Sequence, residues 1–361
     1  MEEIIIHTSS KDYPVFVGSG VIEELPAFIK ERFPSVTTIL IMTDQNVGER
    51  YLSLLMGILS NFNRTHFIVP NGENAKTFEV YQKCLTYCLE QKLDRKSLIL
   101  SFGGGAVGDL SGFVAATFMR GIPFIQLPTT ILAHDSAVGG KVAINHPLGK
   151  NMVGAFYQPE AVFYDLSFLS TLPQNERRSG FAEVIKHGLI HDQKFFDWLL
   201  ENITDLHHLT TEQLGYMLEI GIRIKGAIVS EDEKEMGVRS FLNFGHTLGH
   251  AIEGEAGYGQ ITHGEAVMIG MLFALRLSKE ILDLSFNMEP FESWLTKLGY
   301  RIEIPNELDP NSLVSRMKQD KKSVGGEIQF VLLERVGSPV LQKISDDFLL
   351  QQIIAYKEEV R

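Results

Sequence analysis

Short apolar runs alternate with helically spaced apolar positions along the first 170 or so residues. TTILIMTD (37–44), HFIVP (66–70), SLILSFGGG (97–105) and PFIQLPTT (123–130) predict strands. Residues 46–60 and 75–91, lying between them, carry helical spacing. KVAIN (141–145) and AVFYD (161–165) are further strand candidates. From about residue 174 the pattern turns helical, through FAEVIKHGLI, FFDWLLENI, QLGYMLEIGIRIKGAIV, HTLGHAIE and EAVMIGMLFALRLSK. Prolines are absent between Pro173 and Pro290, and IQFVLL (328–333) with PVLQKI (339–344) predicts a late hairpin. The expected fold class is α/β. An N-terminal parallel-sheet domain over 1–172 precedes a mostly helical domain over 173–361.

Composition narrows the function classes. The 361 residues carry 33 basic and 45 acidic side chains, a net charge of −12, which argues against a broad nucleic-acid footprint. Lys and Arg nonetheless recur inside glycine- and asparagine-containing segments, as a small anionic substrate requires. No apolar run approaches the roughly 18 residues of a membrane span. MEEIIIHTSS lacks the basic stretch and apolar run of a signal peptide, so a cytoplasmic protein is expected. Cys84 and Cys88, four apart beside Tyr81 and Leu85, are expected to be buried free thiols rather than a redox pair.

Gly103-x-Gly105-x-x-Gly108 follows a predicted strand and opens a helix, where glycines let backbone N–H groups approach a pyrophosphate. The fingerprint's acidic residue some 20 positions later is missing, since nothing acidic lies between Asp109 and Asp135. Asp44, ending an earlier strand, is an alternative partner for a ribose. A plain structural turn is the competing interpretation; a dinucleotide in a non-Rossmann arrangement is favoured.

His246, His250 and His263 crowd the segment SFLNFGHTLGHAIEGEAGYGQITHGEAV. The first two, four residues apart, share one helical face. A catalytic metal typically takes three protein ligands and keeps one position open. His246 and His263 suit this, with Glu183, Glu253 and Glu265 as competing carboxylates. Which of His246 and His250 binds metal and which moves protons stays open on spacing alone. A hydrogen-bonded polar core is the alternative. Thr247 after His246 breaks the H-E-x-x-H signature, which disfavours peptide hydrolysis. Arg120, Lys141, Lys150, Asn151, Lys225, Arg239, Asn243, Lys321 and Lys322 form a candidate anion-binding set.

GGGAVGDLSGFVAATFMRG, LPTTILAHDSAVGGKVAINHPLGKN, TLPQNERRSGFAEVIKHG, RSFLNFGHTLGHAIE and THGEAV closely resemble the 3-dehydroquinate synthase family of sugar-phosphate cyclases. The likeness runs from about Asp44 to the DKK motif. It implies an enzyme of the shikimate pathway using NAD and a divalent metal, zinc or cobalt. The implied reaction takes 3-deoxy-D-arabino-heptulosonate 7-phosphate to 3-dehydroquinate and phosphate. It proceeds by transient oxidation, phosphate elimination, re-reduction, ring opening and aldol closure.

By the same resemblance, Glu183, His246 and His263 would ligate the metal. His250, Lys186, Asp135 and Lys141 would be catalytic. NAD would meet Asp44, Asn46, Glu73, Lys76, Gly104, Gly105, Asp109, Thr129, Thr130, Lys141, Lys150 and Thr171. The substrate would meet Lys141, Lys186, Lys225, Arg239, Asn243 and His250. Its phosphate would meet Asn151, Lys321 or Lys322, and Arg120, the last donated by a partner subunit in a homodimer. A metal-dependent alcohol dehydrogenase of the glycerol dehydrogenase type, another sugar-phosphate cyclase, and an NAD- or metal-sensing regulator are the competing interpretations.

Overall fold

The computed structural model describes residues 1–257, 260–319 and 328–359. Lys321 and Lys322 lie outside the described residues. The chain divides into two compact units, one of Met1–Leu172 with Leu214–Lys234, the other of Pro173–Gln213 with Glu235–Arg361.

In the first unit, strands β1 (Glu2–Ile6), β2 (Tyr13–Gly18), β3 (Ile39–Asp44), β4 (Arg64–Val69), β5 (Leu98–Gly103) and β6 (Phe124–Pro128) precede a hairpin. That hairpin is β7 (Lys141–His146) with β8 (Gly149–Phe156), and β9 (Ala161–Asp165) follows. A seven-stranded sheet runs β1-β2-β9-β6-β5-β3-β4. All its pairs are parallel except the β1–β2 edge.

Strands β3, β5, β6 and β9 are buried at every position, as a parallel sheet covered on both faces requires. Alternation sorts their side chains between two cores. Leu40 and Met42 enter one with Ile99 and Val142, while Ile39 and Ile41 enter the other with Leu98, Leu100 and Phe102. Cys84 and Cys88 are free and buried in the first of these cores. Burial raises both thiols to about 12.

A single boundary after residue 172 does not describe this chain. Most of the Thr211–Glu231 helix packs with the first unit. A Cβ on Gly226 would stand 2.7 Å from Ile6 Cδ1, so glycine permits that close contact. Lys225 Nζ donates to Asp135, and Glu233 accepts from Ser9, Ser10 and Gln158.

The second unit contains the Gln174–His191, Gln193–Asn202, His246–Ala256, His263–Leu282, Met288–Lys297, Pro310–Gln319 and Asp346–Glu359 helices. It also contains the hairpin expected from the sequence, β10 (Ile328–Arg335) with β11 (Ser338–Ile344). The Gln174–His191 helix is buried without a break from Ser179 to Ile190, so it is central to its unit. Among the described residues no helix is long and apolar enough to cross a membrane.

Candidate functional site

In the second unit three helices converge because glycine lets them touch. A Cβ on Gly270 would lie 1.9 Å from the Gly245 carbonyl oxygen, and one on Gly264 equally close to that of Ser179. Gly245, at φ +80, also supplies the left-handed turn that starts the helix at His246. These approaches draw Glu183, His246 and His263 together from three separate helices.

The donor atoms are aimed. His246 Nδ1 donates to the Phe244 carbonyl at 3.2 Å, and His263 Nδ1 donates to Glu253 Oε2 at 3.3 Å. Neither acceptor can give a proton back, so each neutral ring presents its Nε2 lone pair. Both Nε2 atoms face Glu183 Oε1, each at 3.6 Å. That is too long for a hydrogen bond. Two ligands about 2.1 Å from one tetrahedral ion sit about 3.4 Å apart, close to the observed spacing. Glu183 is 2% exposed, and neither of its oxygens receives a well-formed hydrogen bond, although Lys186 ion-pairs with Oε2. The donor set therefore fits a divalent cation.

His250 also approaches, its ring centroid 5.3 Å from that of His246 and 5.7 Å from that of His263. The three imidazoles offer ligand atoms within 4.8 Å of one another, an alternative all-histidine set. In the Glu183 set both imidazoles aim Nε2 at one carboxylate oxygen and have the other ring nitrogen accounted for. Of the competing carboxylates, Glu253 orients His263. Glu265 closes a capping box with Thr262 and pairs with Arg178 at 3.1 Å. Arg239 is buried on the short helical turn Val238–Asn243 that leads into Gly245. Asn243, on the same turn, donates to Glu235 Oε1 at 2.9 Å.

The first unit gathers most of the proposed dinucleotide residues. Gly104 caps the Gly105–Thr117 helix directly after β5. Added Cβ atoms would reach within 2.8 Å of Thr130 at Gly104 and 2.9 Å of Ser136 at Gly105. Only bare backbone fits there, leaving amides at a helix start for an anion. Thr129 is buried with its N–H on the Gly103 carbonyl at 3.1 Å.

Burial pushes the Asp44 carboxyl up while the Val47 N–H, donating at 2.9 Å, pulls it down. Asn46 is exposed, and its N–H donates to Asn71 Oδ1 at 3.1 Å. Thr171 shares a hydrogen bond with Tyr51 at 2.8 Å. Lys76 is 2% exposed, with Nζ 2.6 Å from Asp109 Oδ2 and in contact with Asn151 Oδ1. Burial raises the Asp109 carboxyl, against the opposing pull of Lys76. Lys150 Nζ stands 3.9 Å from Glu73 Oε1. Lys225 Nζ lies 3.0 Å from Asp135 Oδ2, and Lys141 is exposed at the start of β7.

Residues 66–179 match the family model for the 3-dehydroquinate synthase N-terminal part, and 180–323 the one for its C-terminal part. The chain belongs to the 3-dehydroquinate synthase family. A 3-dehydroquinate synthase from Halalkalibacterium halodurans is 52% identical over 98% of both chains. One from Geobacillus thermodenitrificans is 51% identical over 97% of this chain and 96% of its own. A crystal structure of 2-deoxy-scyllo-inosose synthase with carbaglucose-6-phosphate, NAD+ and Co2+ superposes with a TM-score of 0.89. It is 26% identical and covers 99% of each chain.

One participant escaped the sequence, and one was expected in a different role. Glu253, a competing carboxylate on spacing, instead accepts from His263 Nδ1. Asn145 lies within KVAIN, where strand patterning hides a polar residue that touches Glu73 and Asn151.

Proposed function

We propose that this chain converts 3-deoxy-D-arabino-heptulosonate 7-phosphate into 3-dehydroquinate and phosphate. It is a carbon–oxygen lyase that uses NAD and a divalent metal. When bound, NAD takes up and returns a hydride, and the metal acts as a Lewis acid on substrate hydroxyls. The observation that carries the site assignment is the pair of Nε2 atoms facing Glu183 Oε1 at 3.6 Å. Glu183, His246 and His263 are assigned to the metal; two imidazoles and a carboxylate suit zinc and cobalt alike.

Lys186, buried beside Glu183, supplies a fixed cation for substrate oxygen, and His250 exchanges protons one helical turn from His246. Arg239 and Asn243 are assigned to the carboxylate and hydroxyls, with Lys141 and Lys225. Asp135 holds Lys225 in place. The Gly104–Gly105 backbone, with Lys76 and Lys150, is assigned to NAD phosphates, and Asp44 to a ribose. Asn46, Glu73, Asp109, Thr129, Thr130 and Thr171 complete that set. Asn151 serves the substrate phosphate, with Lys321 or Lys322.

Arg120 is exposed at φ +66, beside Gly121 at φ +120, so it projects from a tight turn. That placement supports its donation to a neighbouring subunit in a homodimer. A reducing cytoplasm suits the free buried thiols.

The test follows phosphate and NADH together, with substrate, divalent metal and substoichiometric NAD. Phosphate far in excess of NAD without NADH accumulation is expected. Steady NADH with no phosphate would mean a simple dehydrogenase, and identification of the carbocycle separates this reaction from other cyclisations.

A further inference from the structure

Asn145 has no place in the cofactor and substrate sets, yet three hydrogen bonds converge on it. It sits at an irregularity in the β7–β8 ladder, where pairing passes from Ile144↔Val153 to His146↔Gly149. Such bulges turn a residue out of the ladder and re-aim its side chain. Here the freed N–H donates to the Lys76 carbonyl at 2.7 Å. Asn145 Nδ2 donates to Glu73 Oε2 at 2.7 Å, and Asn145 Oδ1 accepts from the Asn151 N–H at 3.0 Å.

The last bond has a specific job. Asn151 is held at φ +54, a left-handed conformation that costs most side chains and that asparagine tolerates best. From that backbone the Asn151 side chain accepts from Lys76 Nζ, which also pairs with Asp109 at 2.6 Å. One amide thus ties Glu73 and Lys76, assigned to NAD, to Asn151, assigned to the substrate phosphate. Only a group with both a donor and an acceptor end can make both side-chain bonds.

We infer that Asn145 is a positioning residue that fixes the cofactor-side Glu73 and the substrate-side Asn151 in one register. The inference rests on the site assignment proposed above. An aspartate at this position keeps the acceptor for Asn151 but sets a carboxylate against Glu73.

The test measures NAD affinity by calorimetry, and kcat and KM in steady state, for wild type, N145D, E73Q and the N145D/E73Q pair. N145D should raise the NAD Kd and the substrate KM by about tenfold, with kcat changed much less, because Asn145 touches no reacting atom. In the paired variant the donor and acceptor trade places: the amide introduced at position 73 donates to the carboxylate introduced at position 145. The NAD Kd should then return to that of E73Q alone. An N145D protein matching wild type in both constants overturns the inference. So does a paired variant carrying the full product of the two single losses, or a kcat loss that simply tracks a lowered melting temperature. Wild type that binds no NAD overturns the site assignment itself, and the Asn145 role with it. If N145D does not fold, N145S, too short to reach Glu73, gives the same comparison against wild type.

Discussion

Glu253 accepts the Nδ1 proton of His263 and so fixes which nitrogen of that ring faces Glu183. Replacing it with alanine should lower metal affinity about 10- to 100-fold while leaving the ligand set intact. Competition with a chelator measures the loss, and excess metal should restore turnover to E253A but not to H246A. An unchanged affinity would remove Glu253 from the site. The histidines themselves were legible, because four-residue spacing and flanking glycines are written in the chain. The division of labour among the carboxylates was less so. Thr262-His263-Gly264-Glu265 has capping-box spacing, a signal that separates Glu265 from the ligands. Nothing local marks Glu253 as the partner of His263, a role that depends on a contact between two helices.

Helix contact at glycine is what brings Glu183, His246 and His263 to one point. Gly270→Ala drives a methyl group into the Gly245 carbonyl, so the helices must part. A loss of about 1–3 kcal/mol is expected from such overpacking, read as a lower urea midpoint together with weaker metal binding. An unshifted midpoint would mean that this contact is loose.

A second prediction concerns Glu233, at the end of the segment that carries the Thr211–Glu231 helix. Burial pushes its carboxyl up, but the Ser10 and Ser9 hydroxyls, the Gln158 amide and the Ser10 N–H outweigh it and hold it at about 2. With a depressed folded pKa, its contribution is present above the unfolded value near 4.5 and lost as pH falls through about 2. Wild type should therefore melt above E233Q at pH 7, with the gap closing as pH drops through that window. A gap independent of pH would contradict the assignment.

Strands β3, β5, β6 and β9 were legible because strands buried on both faces are continuously apolar. Strands β1 and β2 were missed: they are short and half-buried, with Pro14 interrupting the run. Strand β8, GKNMVGAF, is mostly exposed or half-exposed, and only pairing with β7 makes it a strand.

At the scale of the whole molecule, the proposed homodimer with Arg120 acting across subunits is open to complementation. R120A and K186A chains should each be nearly inactive alone. Mixed after dissociation, they should recover about a quarter of wild-type activity, since half the dimers are mixed and each holds one intact site. No recovery would place Arg120 in its own subunit's site. The α/β-then-helical plan was legible from the change in periodicity near residue 174. The membership of Leu214–Lys234 was not, because helical spacing reports that a face is apolar and not which sheet or bundle will cover it.

That returning segment also sets an order on synthesis. The last strand of the seven-stranded sheet is complete at Asp165, but the helix that seats Lys225 and the latch at Glu233 are still untranslated. At roughly 5–20 residues per second the nascent sheet waits some seconds for them. During that interval Ile6 and the Ser9–Ser10 turn lack the helix that later packs against them. Vectorial folding of this chain therefore cannot finish its first unit until the chain has been made as far as Lys234.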